Sequence, residues 1–242
     1  MAAVHATAGL SRRLVAEFTG TAVLVAAVIG SGIMAVALTP DGGLQLLINA
    51  VSTVTALGVL IMVLGPISGA HFNPAVTGVA VALREIPGGE ALAYVLVQVA
   101  GAITGATVAN VMFALPAWQS SGHERVGPGL WLGEVVATAG LILVIGALTR
   151  TGRGHLGPVA VPAWIAAAYF FTASTSFANP AVTIGRAFTD TFTGIAWASV
   201  APFIVAQLLG AALGAGLTAG LYPRRHPEPL DLPDPVHPQG VS

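Results

Sequence analysis

The chain carries the pentapeptide Asn-Pro-Ala-Val-Thr twice, at residues 73–77 and 179–183, 106 positions apart. Asparagine is a favoured helix N-cap, and proline suits the next position because its missing N–H needs no partner there. Each copy therefore starts a helix. If the asparagine oxygen accepts from its own helix, the amide N–H groups of Asn73 and Asn179 are left to donate to a passing molecule. Two glutamates, Glu17 and Glu134, lie inside apolar runs, where an ionisable side chain is a functional candidate by default. Such a carboxylate can relay protons, or it can accept backbone N–H groups and hold a loop in place. His71, two residues before Asn73, is either a group that gates by protonation or a fixed part of a wall. His5, His123, His155, His226 and His237 are scattered over the termini and loops, and there is no cysteine. No metal site, thiol nucleophile or disulfide is predicted.

The composition says where these residues must work. Of the 242 residues, 55% are hydrophobic and 8% charged, whereas soluble domains carry about a quarter charged residues. The chain is read as an integral membrane protein. Its nine basic residues are all arginine and face ten acidic ones, for a net charge of −1, so nucleic acid is not an expected partner. A bilayer-crossing helix needs roughly 20 mostly apolar residues. Six stretches meet or approach that length, at 14–38, 44–64, 91–115, 130–148, 159–175 and 194–221. Two further pieces, 74–83 and 180–188, are about 14 Å long as helix, enough to enter the bilayer but not to cross it.

These short pieces belong to an internal repeat. Glu17-x-x-x-Thr21 matches Glu134-x-x-x-Thr138, and Gln98-x-x-Gly101-x-x-x-Gly105 matches Gln207-x-x-Gly210-x-x-x-Gly214. Each half, about 10–115 and 128–222, holds three spans and one half-span. Because three is odd, the second half enters from the opposite face, and an inverted repeat places its site at the midplane between the halves. Arg12, Arg13, Arg84, Arg150, Arg153, Arg224 and Arg225 fall on one side, Arg125 and Arg186 on the other. The arginine bias predicts cytoplasmic N- and C-termini. The segment 223–242, with six prolines, reads as a disordered cytoplasmic tail.

Irregular backbone at membrane depth survives only where protein buries it or a cavity adjoins it. The two helix starts therefore imply a pore, with both positive ends aimed at its centre to repel cations and protons. Residues 68–77, the second Asn179-Pro180-Ala181 after the first Asn73-Pro74-Ala75, and the two glutamate motifs resemble the aquaporin, or major intrinsic protein, family over about residues 10–222. The resemblance implies an all-α membrane protein with six transmembrane helices and two re-entrant half-helices. It implies a homotetramer with one pore per subunit, no cofactor and no enzymatic activity. It also favours loop support for Glu17 and Glu134, and a pore-wall position for His71.

Family members have a second constriction, whose spacing falls here on Thr53, Ala167, Ser176 and Val182. In water channels the position of Thr53 is usually aromatic, that of Ala167 often histidine and that of Val182 nearly always arginine; all three differ in this chain. The constriction should be wider and lack its fixed charge. Val182-Thr183 followed by Arg186 resembles a bacterial branch associated with arsenic resistance. The resulting expectation is a passive channel in the bacterial inner (plasma) membrane for small uncharged solutes: metalloid acids such as arsenite, methylated arsenicals, polyols and water. A water or glycerol facilitator is the alternative, and a proton-coupled transporter using Glu17 or Glu134 the remoter one. Arg186 either supplies a positive charge to the outer vestibule or pairs in solvent with Asp190.

Overall fold

The computed structural model describes residues 8–223. The first half contains α1 (Leu10–Leu38), α2 (Gly42–Ser68), α3 (Pro74–Ala82) and α4 (Gly88–Met112). The second contains α5 (Pro128–Arg150), α6 (Gly157–Phe171), α7 (Pro180–Arg186) and α8 (Trp197–Leu221). A 3-10 turn at Gly154–Leu156 leads into α6. Six helical segments are long and apolar enough to cross a membrane. Helices α3 and α7, of nine and seven residues, are not. No strand occurs among the described residues, and the architecture is the all-α arrangement of six spans and two short helices. Of the expected tail at 223–242, residues 224–242, with Arg224, Arg225, His226 and His237, lie outside the described residues, as does His5.

Several boundaries differ from the hydrophobic runs, for local reasons. The fifth span stops at Phe171 rather than 175. Beyond it Thr175, Ser176 and Ala178 take left-handed backbone conformations, which an L-residue helix cannot continue through. The last span starts at Trp197 rather than 194, because the preceding residues bond to the loop before α5: Arg125 Nε donates to Gly194 O and Ala196 N to His123 O. The short helices end at Ala82 and Arg186, slightly inside the apolar runs.

Within each half the first and last long helices pack most closely, α1 on α4 and α5 on α8. The repeated glycines make this possible. A Cβ at Gly101 or Gly105 would collide with the α1 backbone at Phe18 and Ala22, and one at Gly210 or Gly214 with the α5 backbone at Val135 and Ala139; small residues let helix backbones approach. Helix α2 meets α6 across the halves. Helix α3 rests on α4 and α8, and α7 on α8 and α4, so each short helix touches both halves. Large apolar side chains such as Val59, Met62, Leu96 and Leu209 point outward, the surface a bilayer would cover.

The chain crosses once per long helix, so the N-terminal ends of α1 and α4 and the C-terminal ends of α5 and α8 lie together. Arg13 pairs with Glu90 at 2.7 Å, and Arg150 donates to the carbonyl of Tyr222. Arg125 and Arg186 lie at the opposite end.

Candidate pore and selectivity site

A cavity of about 360 Å³ runs between the halves. Arg13, His71 and Arg150 border one mouth, Asn73 and Asn179 line its middle, and Arg186 borders the other mouth. Most of the remaining wall is aliphatic, including Leu24, Leu57, Ile61, Ile142 and Ile165. A solute inside would meet few polar partners, at fixed places.

The two asparagines are built alike. Asn73 Oδ1 accepts from Ala75 N at 2.9 Å, and Asn179 Oδ1 accepts from Ala181 N at 2.9 Å and Val182 N at 3.2 Å. Pro74 and Pro180 occupy the first helical position after them. Each side-chain amide then reaches across. Asn73 Nδ2 donates to Ala178 O and Asn179 Nδ2 to Phe72 O, both at 2.8 Å. The short helices are therefore latched tip to tip. An amide nitrogen has two N–H groups, so one on each asparagine is spent on the latch and one is left for the cavity. Both amide N–H groups were expected to be available; the reciprocal latch halves that number.

The loops that present these tips are strained. Phe72 and Ala178, immediately before the two asparagines, have φ of 49° and 48°, a conformation that costs an L-residue about 1–2 kcal/mol. Two buried carboxylates hold them. Glu17 accepts from His71 N at 3.0 Å, Phe72 N at 2.7 Å and Ser68 Oγ at 2.6 Å. Glu134 accepts from Phe177 N at 2.9 Å and Ala178 N at 2.8 Å. Each is tied to the last long helix of its half by a glutamine, Gln98 to Glu17 at 2.8 Å and Gln207 to Glu134 at 2.6 Å. Those glutamines also donate to Thr77 and Thr183 on the short helices. Gly20 leaves room for the Phe72 ring, which a Cβ there would strike. Both carboxylates are fully buried, with their oxygens accepting from these donors.

His71 is partly buried on the cavity wall. Its Nδ1 lies 3.1 Å from Thr77 Oγ1, and its ring meets Tyr94 edge-on at 5.5 Å.

Of the constriction residues, Thr53, Ser176 and Val182 line the cavity, and Ser176 Oγ is buried without a hydrogen-bond partner among the described residues. Ala167 does not line it. That residue is exposed on the far side of α6, while Val161, Ile165 and Tyr169 share the cavity face. At 100° per residue, a position two residues from Tyr169 points nearly the opposite way. The α6 contribution to this end is thus the phenol of Tyr169, not a methyl group.

Arg186 is 3% exposed and is not Asp190's partner. Helix α7 ends at Arg186, so an i,i+4 pair has no helix to sit on. Asp190 instead accepts from Gly122 N at 2.9 Å and lies 3.7 Å from His123 Nε2. Arg186 donates through Nε to Thr193 O and stacks on the Phe177 ring, 3.4 Å from its centroid. Arg125 stacks on the same ring at 5.1 Å. Tyr169, Phe177 and Arg125 were not singled out from sequence. The two glutamines were, but only as repeat landmarks; their matched Gln-x-x-Gly-x-x-x-Gly setting in both halves was the available signal.

Known proteins resemble this chain in sequence and in fold. The sequence profile of the major intrinsic protein family matches residues 5–176 and 159–237. An aquaglyceroporin, AqpS, of Rhizobium meliloti is 52% identical over 202 residues, covering 84% of this chain and 86% of its own. Aquaporin Z of Brucella melitensis is 34% identical over 220 residues, covering 83% and 93% respectively. Among solved structures, the aquaglyceroporin of Plasmodium falciparum superposes with a TM-score of 0.69 at 20% identity, over 86% of this chain and 95% of that one, a likeness of fold.

Proposed function

Since the chain belongs to the major intrinsic protein family and is a multi-pass membrane channel rather than an enzyme, we propose that it passively conducts small uncharged solutes larger than water, metalloid acids such as arsenite foremost and polyols besides. The observation that carries this reading is the make-up of the far constriction. Thr53, Ser176 and Val182 line it, the first two with their hydroxyl oxygens buried, and the residue after the second Asn-Pro-Ala carries no charge. Arsenous acid is neutral at pH 7 and carries three hydroxyls, each able to donate and accept. It can exchange hydration for the two asparagine amides while its body slides along aliphatic wall. The opposed helix starts disfavour cations.

A glycerol facilitator without a metalloid role is the second reading, favoured by the aquaglyceroporin name of the relative at 52% identity. The proton-coupled alternative finds no support, because Glu17 and Glu134 are engaged with loop backbone. The roles given to the asparagine, glutamate, filter and His71 side chains are part of this proposal, as is a vestibule role for Arg186. So are a homotetrameric assembly, a bacterial inner-membrane location, cytoplasmic termini and hence an outer position for the Arg186 mouth. Proteoliposomes tested by stopped-flow with water, glycerol and urea, alongside arsenite uptake, decide among the solutes. Arsenite and glycerol should equilibrate well above protein-free vesicles; water alone doing so would overturn the reading.

A further inference from the structure

Beside the pore at the Arg186 mouth lies a smaller cavity of about 220 Å³, lined by Asn49, Arg125, Thr175, Arg186 and Phe192 among others. Arg186 borders both this chamber and the pore. The two guanidinium groups rest on one ring, that of Phe177, and each is anchored by backbone carbonyls alone. Arg186 uses Nε toward Thr193 O, and Arg125 uses Nε toward Gly194 O at 2.9 Å, with a longer contact from Nη2 to Phe192 O at 3.5 Å. The terminal nitrogens of Arg186 have no hydrogen-bond partner among the described residues, although the side chain is almost wholly buried. Neither arginine lies within ion-pair distance of a carboxylate, the ion pairs among the described residues being Arg13 with Glu90 and His123 with Asp190; the buried Glu134 acts on both only from farther away.

A guanidinium withdrawn from water with its terminal nitrogens unpaired is costly, and the partly exposed Arg125 adds a second positive charge beside it. A guanidinium fork matches the two oxygens of a carboxylate- or sulfonate-type group and binds it through charge-assisted hydrogen bonds. We propose that Arg125 and Arg186 together form a binding site for a small monovalent oxyanion at the outer mouth, and that the bound anion obstructs the pore. Arg186 supplies the obstruction because it faces both spaces; Arg125 supplies the second charge from the chamber side. The aliphatic wall beyond offers a fixed anion no compensation, so the anion stays at the mouth. This inference rests on the channel reading above.

The test uses the full chain in proteoliposomes, with glycerol flux read against external sodium methanesulfonate, an oxyanion that does not take up a proton near neutral pH, and sodium chloride holding ionic strength constant. Flux should fall saturably, with half-inhibition in the millimolar range. At ten times that concentration it should be about tenfold lower, as mass action requires of a blocking ligand. Flux of Arg125→Gln and of Arg186→Gln, each normalised to its own anion-free value, should lose this sensitivity. Arg125→Lys, which keeps the charge and loses the fork, should retain part of it and shift half-inhibition upward. Wild-type glycerol flux that ignores methanesulfonate would overturn the proposal while leaving the channel reading intact, and sensitivity unchanged in both glutamine variants would do the same. Absence of any glycerol flux would instead count against the channel reading for this solute, and the anion site would then be overturned if arsenite flux were likewise indifferent to methanesulfonate.

Discussion

The two re-entrant segments share a skeleton and differ in what they expose. In both, a buried glutamate accepts N–H groups from the two residues before an asparagine, a glutamine ties that glutamate to the short helix, and the asparagine latches onto the opposite loop. At the offset of the repeat, however, His71 corresponds to Phe177 and Ala80 to Arg186. The first segment therefore puts an imidazole on the wall and a methyl group in the packing. The second puts a phenyl ring there and stacks a buried guanidinium on it. The shared residues hold the two tips together, and in the proposed function the unshared ones, with Thr53 and Tyr169 from α2 and α6, select what enters.

The largest effect should come from breaking the shared skeleton. Glu134→Leu orphans the N–H groups of Phe177 and Ala178 in a buried site, at about 1–3 kcal/mol each. Detergent-solubilised variant should unfold at much lower temperature than wild type or fail to accumulate; Glu17→Leu should behave alike, since the first loop is held the same way. A marked difference between the two would show that the halves are not equivalent.

Next in size is a change that makes one shared position unlike its counterpart. Val182→Arg places bulk and charge where the first half has Val76, and should cut glycerol and arsenite flux by about tenfold while sparing water. Unchanged arsenite flux would remove Val182 from the filter. A paired test on α6 sharpens the point. Tyr169→Ala should widen the far constriction and raise flux of the larger polyols, whereas Ala167→Leu, on the outward face, should leave flux unchanged and stability within about 0.5 kcal/mol. The reverse ranking would restore Ala167 as the lining residue. The smallest effect is expected outside the pore. His123 and Asp190 are each half exposed, and a surface pair contributes about 0–1 kcal/mol. Asp190→Asn should thus shift the melting temperature little and leave solute preference unaltered.

Much of this was legible in the sequence because it was written twice. The spans, the two short helices, the opposed asparagines and the glutamates each appear as matched landmarks, and the physics of caps, prolines and small residues gives each copy the same meaning. What escaped was local to one half. Ala167 was reached through the family's spacing, but the left-handed residues at 175, 176 and 178 set the path of the loop that follows α6, and the face that α6 turns inward is the one bearing Tyr169. Arg186 was read with i,i+4 arithmetic that presumes a helix continuing past it. Helix α7 stops there, and the side chain folds back onto Phe177, a contact between residues nine apart that no periodicity announces. The reciprocal latch of the asparagines links residues 105 and 107 positions apart and follows only once both loops are in place.

The central claim is that solute moves passively between the latched asparagines, with Glu17 and Glu134 structural. Initial arsenite uptake into proteoliposomes, measured across a wide concentration range with and without an imposed pH gradient, tests it most directly. The account predicts uptake that rises linearly with concentration and is the same under both conditions. Uptake that levels off and follows the proton gradient would contradict it.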